Sequence, residues 1–138
     1  MGKLMKASLL AAYKAMEKAG IAAPDAIVAA TSRGMLELSE QFLGEIVENG
    51  EEHLKPTLFM QSTHNTIGSA IAIRTKCHGY NITYSQGEDS LLWARYDAEH
   101  LVGSGEWDTV LLCSFDEDVA DGRTVRFNAE CEIYKGQI

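Results

Sequence analysis

The sequence contains few cysteines and prolines, and the cysteines are too sparse for a fold held together by disulfide bonds or by a bound metal. Its 138 residues contain 3 cysteines and 2 prolines. Cys77, Cys113 and Cys131 are odd in number and widely separated, and none has the C-x-x-C spacing of a zinc site. A disulfide framework would need more cysteines in an even set. We therefore expect three reduced thiols.

The sequence also lacks a long apolar run and an excess of basic residues. No stretch approaches the roughly 18 apolar residues of a membrane-spanning helix. Lysines and a glutamate interrupt the N-terminal apolar segment at helical spacing, which indicates an amphipathic helix and not a signal peptide. With a formal net charge of −8, the chain has no basic face for nucleic acid or anionic lipid. We expect a cytoplasmic protein that binds neither nucleic acid nor membranes.

Motifs that would hold a cofactor or a metal are missing as well. Gly103 and Gly105 follow a helical pattern, whereas a dinucleotide fingerprint places its glycines between a strand and a helix. The 4 histidines show no H-x-x-x-H spacing. No G-x-S-x-G nucleophile elbow occurs. We expect neither a metal nor a cofactor.

Helical and strand patterns alternate along the chain. Apolar residues at helical spacing predict helices over about 3–19, 35–48, 63–76 and 90–102. Short apolar or alternating runs predict strands over about 26–31, 80–85, 109–114 and 123–134. Asp121-Gly122 predicts a turn before the last strand. This alternation favours an α/β sheet covered by helices, and the length suits one domain over residues 1–138.

Two segments of the chain carry residue patterns that match a known family. The first, PTLFMQSTHNTIGSAIAIRTK, covers residues 56–76, and the second, GYNITYSQGEDSLLWARYDAEHL, covers residues 79–101. The matching points are Phe59, Ser62, His64-Asn65, Tyr84-Ser85, Gly87, Asp89-Ser90 and Phe115-Asp116-Glu117. The chain is similar to the N-terminal region of β-ketoacyl synthases, which are thiolase-like proteins, and most of all to the chain-length-factor-type proteins of aryl-polyene and related pigment pathways.

The resemblance implies a fold and a dimer. The implied fold is a three-layer α/β/α half of a thiolase-like fold with a mixed, about five-stranded sheet. In the family, the strand before the active-site turn pairs with its copy in the partner subunit, and a small-residue helix packs across the same two-fold axis. The corresponding residues here are Tyr80, Asn81, Ile82, Thr83 and Tyr84 of the strand and Ile67 and Ile71 of the helix. We expect a homodimer or a heterodimer with a ketosynthase, because an exposed strand edge needs a cover.

The resemblance also indicates where the active-site turn lies and what it lacks. In the family the turn carries a nucleophilic cysteine at a helix N-terminus, which favours the thiolate and offers N–H groups to an oxyanion. The corresponding position here is Glu88, and no cysteine lies in the turn. The family's two histidines and lysine belong to a C-terminal half with no counterpart in these residues. We therefore expect no catalytic residues and no condensing activity.

The same comparison implies a set of binding residues around the turn: His64, Asn65, Ser85, Gly87 and Glu88. His64 either lines a pocket or makes a structural hydrogen bond beside a helix cap. Glu88 is either a functional carboxylate or a first-turn acid that stabilises the helix dipole by about 0.3–1 kcal/mol. The acidic cluster that follows Ser114 is interpreted as a charged loop.

The leading functional hypothesis is a non-catalytic ketosynthase-like subunit, a pseudoenzyme of the chain-length-factor type. It would act in fatty-acid or polyene synthesis, with an acyl carrier protein as a further partner. Two alternatives stay open at this point. One is a degenerate enzyme that binds or decarboxylates an acyl group through Glu88, and the other is a stand-alone interaction module.

Overall fold

The computed structural model describes residues 2–50 and 60–136, and helices and strands alternate along both ranges. The helices α1 to α4 are Lys3–Ala19, Leu36–Asn49, Thr66–Thr75 and Ser90–Gly103. The strands β1 to β4 are Ala26–Ala30, Asn81–Tyr84, Thr109–Ala120 and Arg123–Lys135. A short 3-10 turn, Gly87–Asp89, leads into α4. Phe59, one of the matching points above, lies outside the described residues.

The sheet has the strand order β2-β1-β3-β4. β1 pairs in parallel with β2 on one side and with β3 on the other, and β3 pairs antiparallel with β4. All five residues of β1 are buried, as expected for a parallel strand between two neighbours with both faces covered. The predicted mixed α/β sheet is confirmed.

The sheet has four strands in the described residues, where about five were predicted. The acidic segment after Ser114 is not the charged loop that the sequence indicated. It continues β3 to Ala120 and pairs with β4. Asp121 and Gly122 both have positive φ, 53° and 74°, which is the geometry of a two-residue hairpin turn with the hand that suits twisted strands.

Two apolar clusters hold the helices on opposite faces of the sheet. The first joins α1 and α3 to the sheet around Leu4, Ile27 and Phe115. The second joins α4 to the sheet around Val28 and Leu112. Together with the sheet they give the three-layer arrangement. Among the described residues, no helix is long and apolar enough to cross a membrane.

The face of α3 that the sequence assigned to a dimer contact instead faces the chain's own core. Ile67 and Ile71 are both 0% exposed and belong to the core cluster under α1. The helix lies so close to the sheet that a Cβ on Gly68 would stand 3.1 Å from Asn81 Oδ1. The small residues of α3 therefore serve the packing of the chain's own sheet, and Ile67 and Ile71 are unavailable to a partner.

Cys113 and Cys131 stand opposite each other in the β3–β4 hairpin and form a disulfide, with their Cα atoms 4.2 Å apart. The expectation of three reduced thiols is therefore wrong for these two, while Cys77 is a free, half-buried thiol. A register shift between Asp118 and Val119 accounts for the pairing. Without that bulge, Cys113 would face Glu130, because a bulge moves the register by one residue.

The contrast between the two sides of α3 gives a stability prediction. Ile71→Ala removes a fully buried side chain, so it should lower the free energy of unfolding by about 2–5 kcal/mol. Ile73→Ala is the matched control, because Ile73 is 78% exposed and should change the free energy of unfolding by about 0.5 kcal/mol or less. Urea denaturation of the two variants measures the difference. Equal losses would contradict the assignment of Ile71 to the core.

Candidate functional site

A polar cleft lies where β1 ends beside the middle of β3, next to the turn that leads into α4. Its volume is about 150 Å³. Thr31 and Ser32 line it from the loop after β1, Glu88 and Ser90 from the turn, and Asp116 from β3. The carboxyl ends of parallel strands are the usual position of ligand sites in α/β sheets. The cleft is therefore the candidate functional site.

Hydrogen bonds fix the turn that presents Glu88. Ser90 Oγ accepts from the Gln86 N–H at 2.7 Å and donates to the Gly87 carbonyl at 2.7 Å. Ser32 Oγ donates to the same carbonyl at 2.9 Å, which ties the turn to the loop after β1. Gly87 has a φ of +59°, a conformation that glycine adopts without the cost of a side chain. Glu88 is consequently held, exposed, at the rim of the cleft.

Asp116 organises the opposite wall of the cleft. Its carboxylate accepts from Thr31 Oγ1 at 3.0 Å, from the Ser32 N–H at 2.9 Å and from the Arg33 N–H at 3.1 Å. Thr31 Oγ1 in turn accepts from the Gly34 N–H at 2.9 Å. Hydrogen bonds to an ionised acceptor are among the stronger ones in proteins. Asp116 therefore fixes the loop after β1, and with it the hydroxyl that secures the turn.

His64 and Ser85 meet beside the same turn. The distance from His64 Nδ1 to Ser85 Oγ is 2.6 Å. Ser85 follows β2 directly, and His64 precedes α3. The imidazole lies against the backbone of Gly34, where an added Cβ would stand 2.4 Å from His64 Cδ2. Gly34 therefore makes room for the ring.

The structure gathers most of the residues that the sequence singled out. His64 and Ser85 are in contact, the Gly87 carbonyl accepts from Ser32 and Ser90, and Glu88 lines the cleft. Asn65 is exposed at the start of α3 and makes no side-chain cap bond. It is not among the residues that line the cleft.

The sequence interpretation did not include Ser32, Ser90 or Asn128, which line the cleft, and it assigned Asp116 to a loop. A signal existed for Ser32, because it follows a buried run whose carboxyl end faces the site. Asn128 had no such signal, because it reaches the cleft from the antiparallel strand β4.

Among the described residues, no thiol lies at the turn. Cys77 Sγ donates to the carbonyl of Asp25, just before β1, and so lies at the opposite end of the parallel strands. Cys113 and Cys131 are joined to each other. In the same ranges, no group of three or more His, Cys, Asp or Glu side chains could hold a metal ion. The turn thus presents the carboxylate of Glu88 and no thiol.

The outer edge of β2 is the second feature near the turn. The carbonyls of Tyr80 and Tyr84 accept from the β1 side, from Ile27 N–H at 2.7 Å and Thr31 N–H at 3.0 Å. Backbone groups of a strand alternate in direction, so those of Asn81 and Thr83 point away from β1. No described strand pairs with that edge.

The two edges of the sheet differ in charge. Arg126, Glu130, Glu132 and Lys135 lie along β4 and are all exposed. Charged side chains on an edge strand oppose pairing with another chain. β2 has the sequence Asn-Ile-Thr-Tyr, without a charge. β2 is therefore the edge that is open to a further strand.

Aromatic side chains flank the β2 edge on the α4 side. Tyr80 Oη donates to Asp97 of α4 at 3.0 Å. Burial raises the pKa of Tyr80 to about 12, and the hydrogen bond and charge of Asp97 act in the same direction. Burial and then Asp97 also raise the pKa of Tyr84. Trp93 and Tyr96 of α4 are 48% and 70% exposed, so α4 also presents aromatic surface to solvent.

The raised pKa of the Tyr80 phenol leads to a prediction about the pH dependence of stability. The pKa of Tyr80 is higher in the fold, about 12, than its ordinary value of 10.0. Its contribution to stability is therefore complete below about pH 10 and is lost as the pH rises towards 12. A tyrosinate absorbance titration should show a late step that Tyr80→Phe removes.

The matched control for the titration is Asp97→Asn. The asparagine keeps a hydrogen-bond acceptor but removes the charge, so the late step should move to lower pH. A late step that persists in Tyr80→Phe would assign it to another tyrosine.

The sequence model of the family described as "Beta-ketoacyl synthase, N-terminal domain" matches residues 1–128. No curated protein matches the chain.

Solved structures share the fold. A ketosynthase (ApeO) in complex with its chain length factor (ApeC) from Xenorhabdus doucetiae matches with a TM-score of 0.82 and 20% identity. That match covers 99% of this chain and 58% of the other. The ishigamide ketosynthase/chain length factor matches with a TM-score of 0.74 and 22% identity, over 96% of this chain and 42% of the other. The chain thus spans about half the length of these two structures.

Proposed function

Because the chain belongs to the family of β-ketoacyl synthase N-terminal domains, we propose that it is a ketosynthase-like subunit without condensing activity. It is of the chain-length-factor type, and it pairs with a ketosynthase through the outer edge of β2. The observation that carries the proposal is the fixed turn before α4, which presents Glu88 and contains no cysteine.

A carboxylate at that turn does not replace the family nucleophile. Condensation in the family begins with transfer of an acyl group to a thiolate, and a thiolate is a far better nucleophile for a thioester than a carboxylate. Ser90 and Ser32 hold the turn in place, so the position is kept while the reactive group is absent. The same rigid turn is suited to form part of the wall of a tunnel shared with a catalytic partner.

The uncharged edge of β2 supports the choice of contact surface. Asn81 and Thr83 direct backbone groups outward, and an added antiparallel strand would satisfy them. The half-buried Tyr80 and Tyr84 provide aromatic surface along this strand, and aromatic residues are the usual anchors of stable interfaces. The proposed interface keeps Tyr80, Asn81, Ile82, Thr83 and Tyr84 and leaves out Ile67 and Ile71, which are buried.

The proposed system is an acyl-carrier-dependent synthesis of a fatty-acid or polyene chain. Two of the similar structures contain a ketosynthase with a chain length factor. An acidic carrier protein needs basic groups to meet it, and the exposed Arg33 and Arg126 converge on Asp118 near the cleft. The hydrogen bonds from Arg33 and Arg126 lower the pKa of Asp118, so the carboxylate of Asp118 stays ionised in mild acid.

Thr83→Pro tests the proposed pairing. Proline has no N–H, and its ring would occupy the outward side of the strand, so an added strand would lose a hydrogen bond and meet a clash. Proline is tolerated on a free strand edge, so the chain itself should fold. We expect the variant to bind the ketosynthase encoded nearest to it at least about 10-fold more weakly than the unmodified chain.

Thr83→Val is the matched control, because valine keeps the N–H and the branched shape of threonine. It should bind the ketosynthase as the unmodified chain does. Co-purification and light scattering measure the complex, and thermal unfolding shows whether each variant is folded. A folded Thr83→Pro variant that forms the complex with unchanged affinity would rule out this edge. A homodimer that ignores the ketosynthase would rule out the proposed partner.

A further inference from the structure

The outward faces of α1 and α2 are two exposed surfaces that the proposed function does not use. Both helices lie on the same side of the sheet, because residues of α1 and Leu38 of α2 pack against the same apolar cluster. Leu10 and Tyr13 of α1 are exposed, and so are Leu43 and Val47 of α2. Side chains three or four residues apart are neighbours on a helix, so each helix presents an apolar pair to solvent.

The exposed residues of the two helices follow the spacing of a helix–helix contact. On α1 they include positions 3, 6, 10, 13 and 17, and on α2 they include positions 40, 43 and 47. Steps of three and four residues give a stripe along one side of a helix, which is the seam by which two helices pack. Gly44 adjoins the α2 stripe, and an added Cβ there would meet no atom within 4 Å. A second helix can therefore approach α2 closely at this point.

The two faces carry opposite charges. α1 contains four lysines and one glutamate, whereas α2 contains four glutamates and neither lysine nor arginine. Within the described ranges, no ion pair involves the exposed side chains of Lys6, Lys14, Glu40 and Glu48. Opposite charges on two surfaces steer their encounter, and like charges oppose it. The face of α1 is therefore complementary to the face of α2, and neither face is complementary to itself.

The charges at the helix ends oppose the dipoles of their own helices. α1 begins with Lys3 and has no acid in its first turn, although the N-terminal end of a helix favours negative charge. α2 has Glu48 in its last turn and no basic residue there, although the C-terminal end favours positive charge. An antiparallel contact of α1 with the α2 of another copy would place each of these ends beside the opposite charge.

We propose that two copies of this chain associate through these faces, with α1 of each copy packed antiparallel on α2 of the other. Leu10 of one copy inserts between Leu43 and Val47 of the second copy, over Gly44. Four residues at these spacings on one helix form the kind of hole that receives a side chain of a facing helix. The contact thereby removes the exposed apolar pairs from water.

The charged residues support the same register. When Leu10 lies over Gly44, an antiparallel helix places Lys6 opposite Glu48 and Lys14 opposite Glu40. Each of these pairs is flanked by the apolar contact, so it is less exposed to screening than a pair on an open surface. A parallel arrangement would instead place Lys6 opposite Glu40 but would set the two N-terminal dipole ends side by side.

The position of the two helices allows the contact to occur twice. Because α1 and α2 lie on the same side of the sheet, a two-fold axis can place both helices of one copy against both helices of the other. Such an assembly closes as a dimer. α1 packs on β3 and β4, away from the β2 edge, so the dimer leaves β2 free and does not depend on the proposed pairing with a ketosynthase.

Sedimentation velocity of the purified chain, without a ketosynthase, tests the proposal. The chain should show a monomer–dimer equilibrium that weakens when the salt rises from about 0.05 M to about 0.5 M, because salt screens exposed charges. Leu43→Asp should weaken the dimer by at least about 100-fold, because a carboxylate would enter each apolar contact. Leu92→Asp is the matched control: Leu92 is 65% exposed and Leu43 is 58% exposed, and both lie on helices.

A charge exchange tests the orientation of the helices. Lys6→Glu and Glu48→Lys should each raise the dissociation constant of the dimer by at least about 10-fold, because each places like charges opposite one another. The double variant restores opposite charges and should bind to within about 3-fold of the unmodified chain. Arg74→Glu makes the same change of charge as Lys6→Glu on an exposed position of α3 and should leave the dimer unchanged.

Circular dichroism confirms that each variant is folded. A chain that stays monomeric in low salt up to about 0.1 mM would overturn the proposal and leave the two helix faces to other proteins. A double variant that is weaker than both single variants would overturn it as well. A dimer that Thr83→Pro abolishes and Leu43→Asp does not would place the contact at β2 and not at α1 and α2. Failure of a ketosynthase to bind would leave all of these results unaffected.

Discussion

The parallel pairing of β1 with strands on both sides is the constraint on which the rest of the structure depends. β1 is buried along its whole length, so helices must cover both faces of the sheet around it. Parallel pairing with β1 ends at Tyr84 of β2 and at Ser114 of β3, and this brings the loop after β1, the turn after β2 and the middle of β3 together. The cleft and its fixed turn follow from that arrangement.

The two outer strands meet the same physical problem in different ways. An edge strand exposes unpaired backbone groups, and a stable protein either protects them or uses them. β4 carries charges of both signs and is tied to β3 by a disulfide. β2 is short and uncharged, and the adjoining Tyr80 is hydrogen-bonded to Asp97 of α4. The sheet therefore has one edge, β4, that opposes pairing with another strand and one edge, β2, that is open to it. β2 ends at the turn that presents Glu88.

The hydrogen bonds around that turn explain how it keeps its shape whatever residue stands at position 88. Ser90 closes the turn, Ser32 attaches it to the loop after β1, and Asp116 fixes the loop. None of these contacts involves Glu88. The shape of the turn is therefore independent of the side chain at position 88.

Much of this fold was predictable from local sequence patterns, because its helices and strands are local in origin. The turn at Asp121-Gly122 and the strand from Asn81 to Tyr84 are examples. What the apolar face of α3 packs against was not predictable, since the pattern shows that Ile67 and Ile71 are buried but not whether the chain's own sheet or a partner buries them. The disulfide was not predictable either, because a one-residue bulge decides whether Cys113 faces Cys131 or Glu130. Asp116 was visible as an acid after a strand, but its partners come from a distant loop.

The measurement that tests the central claim most directly is amide hydrogen exchange at Asn81 and Thr83, resolved by residue. The claim is that β2 has an open edge and that a ketosynthase covers it. In the chain alone, at a concentration where it is monomeric, both amides should exchange rapidly, whereas Ile82, which faces β1, should be protected. Addition of the ketosynthase should protect Asn81 and Thr83. A complex in which both amides still exchange as fast as in the free chain would contradict the account.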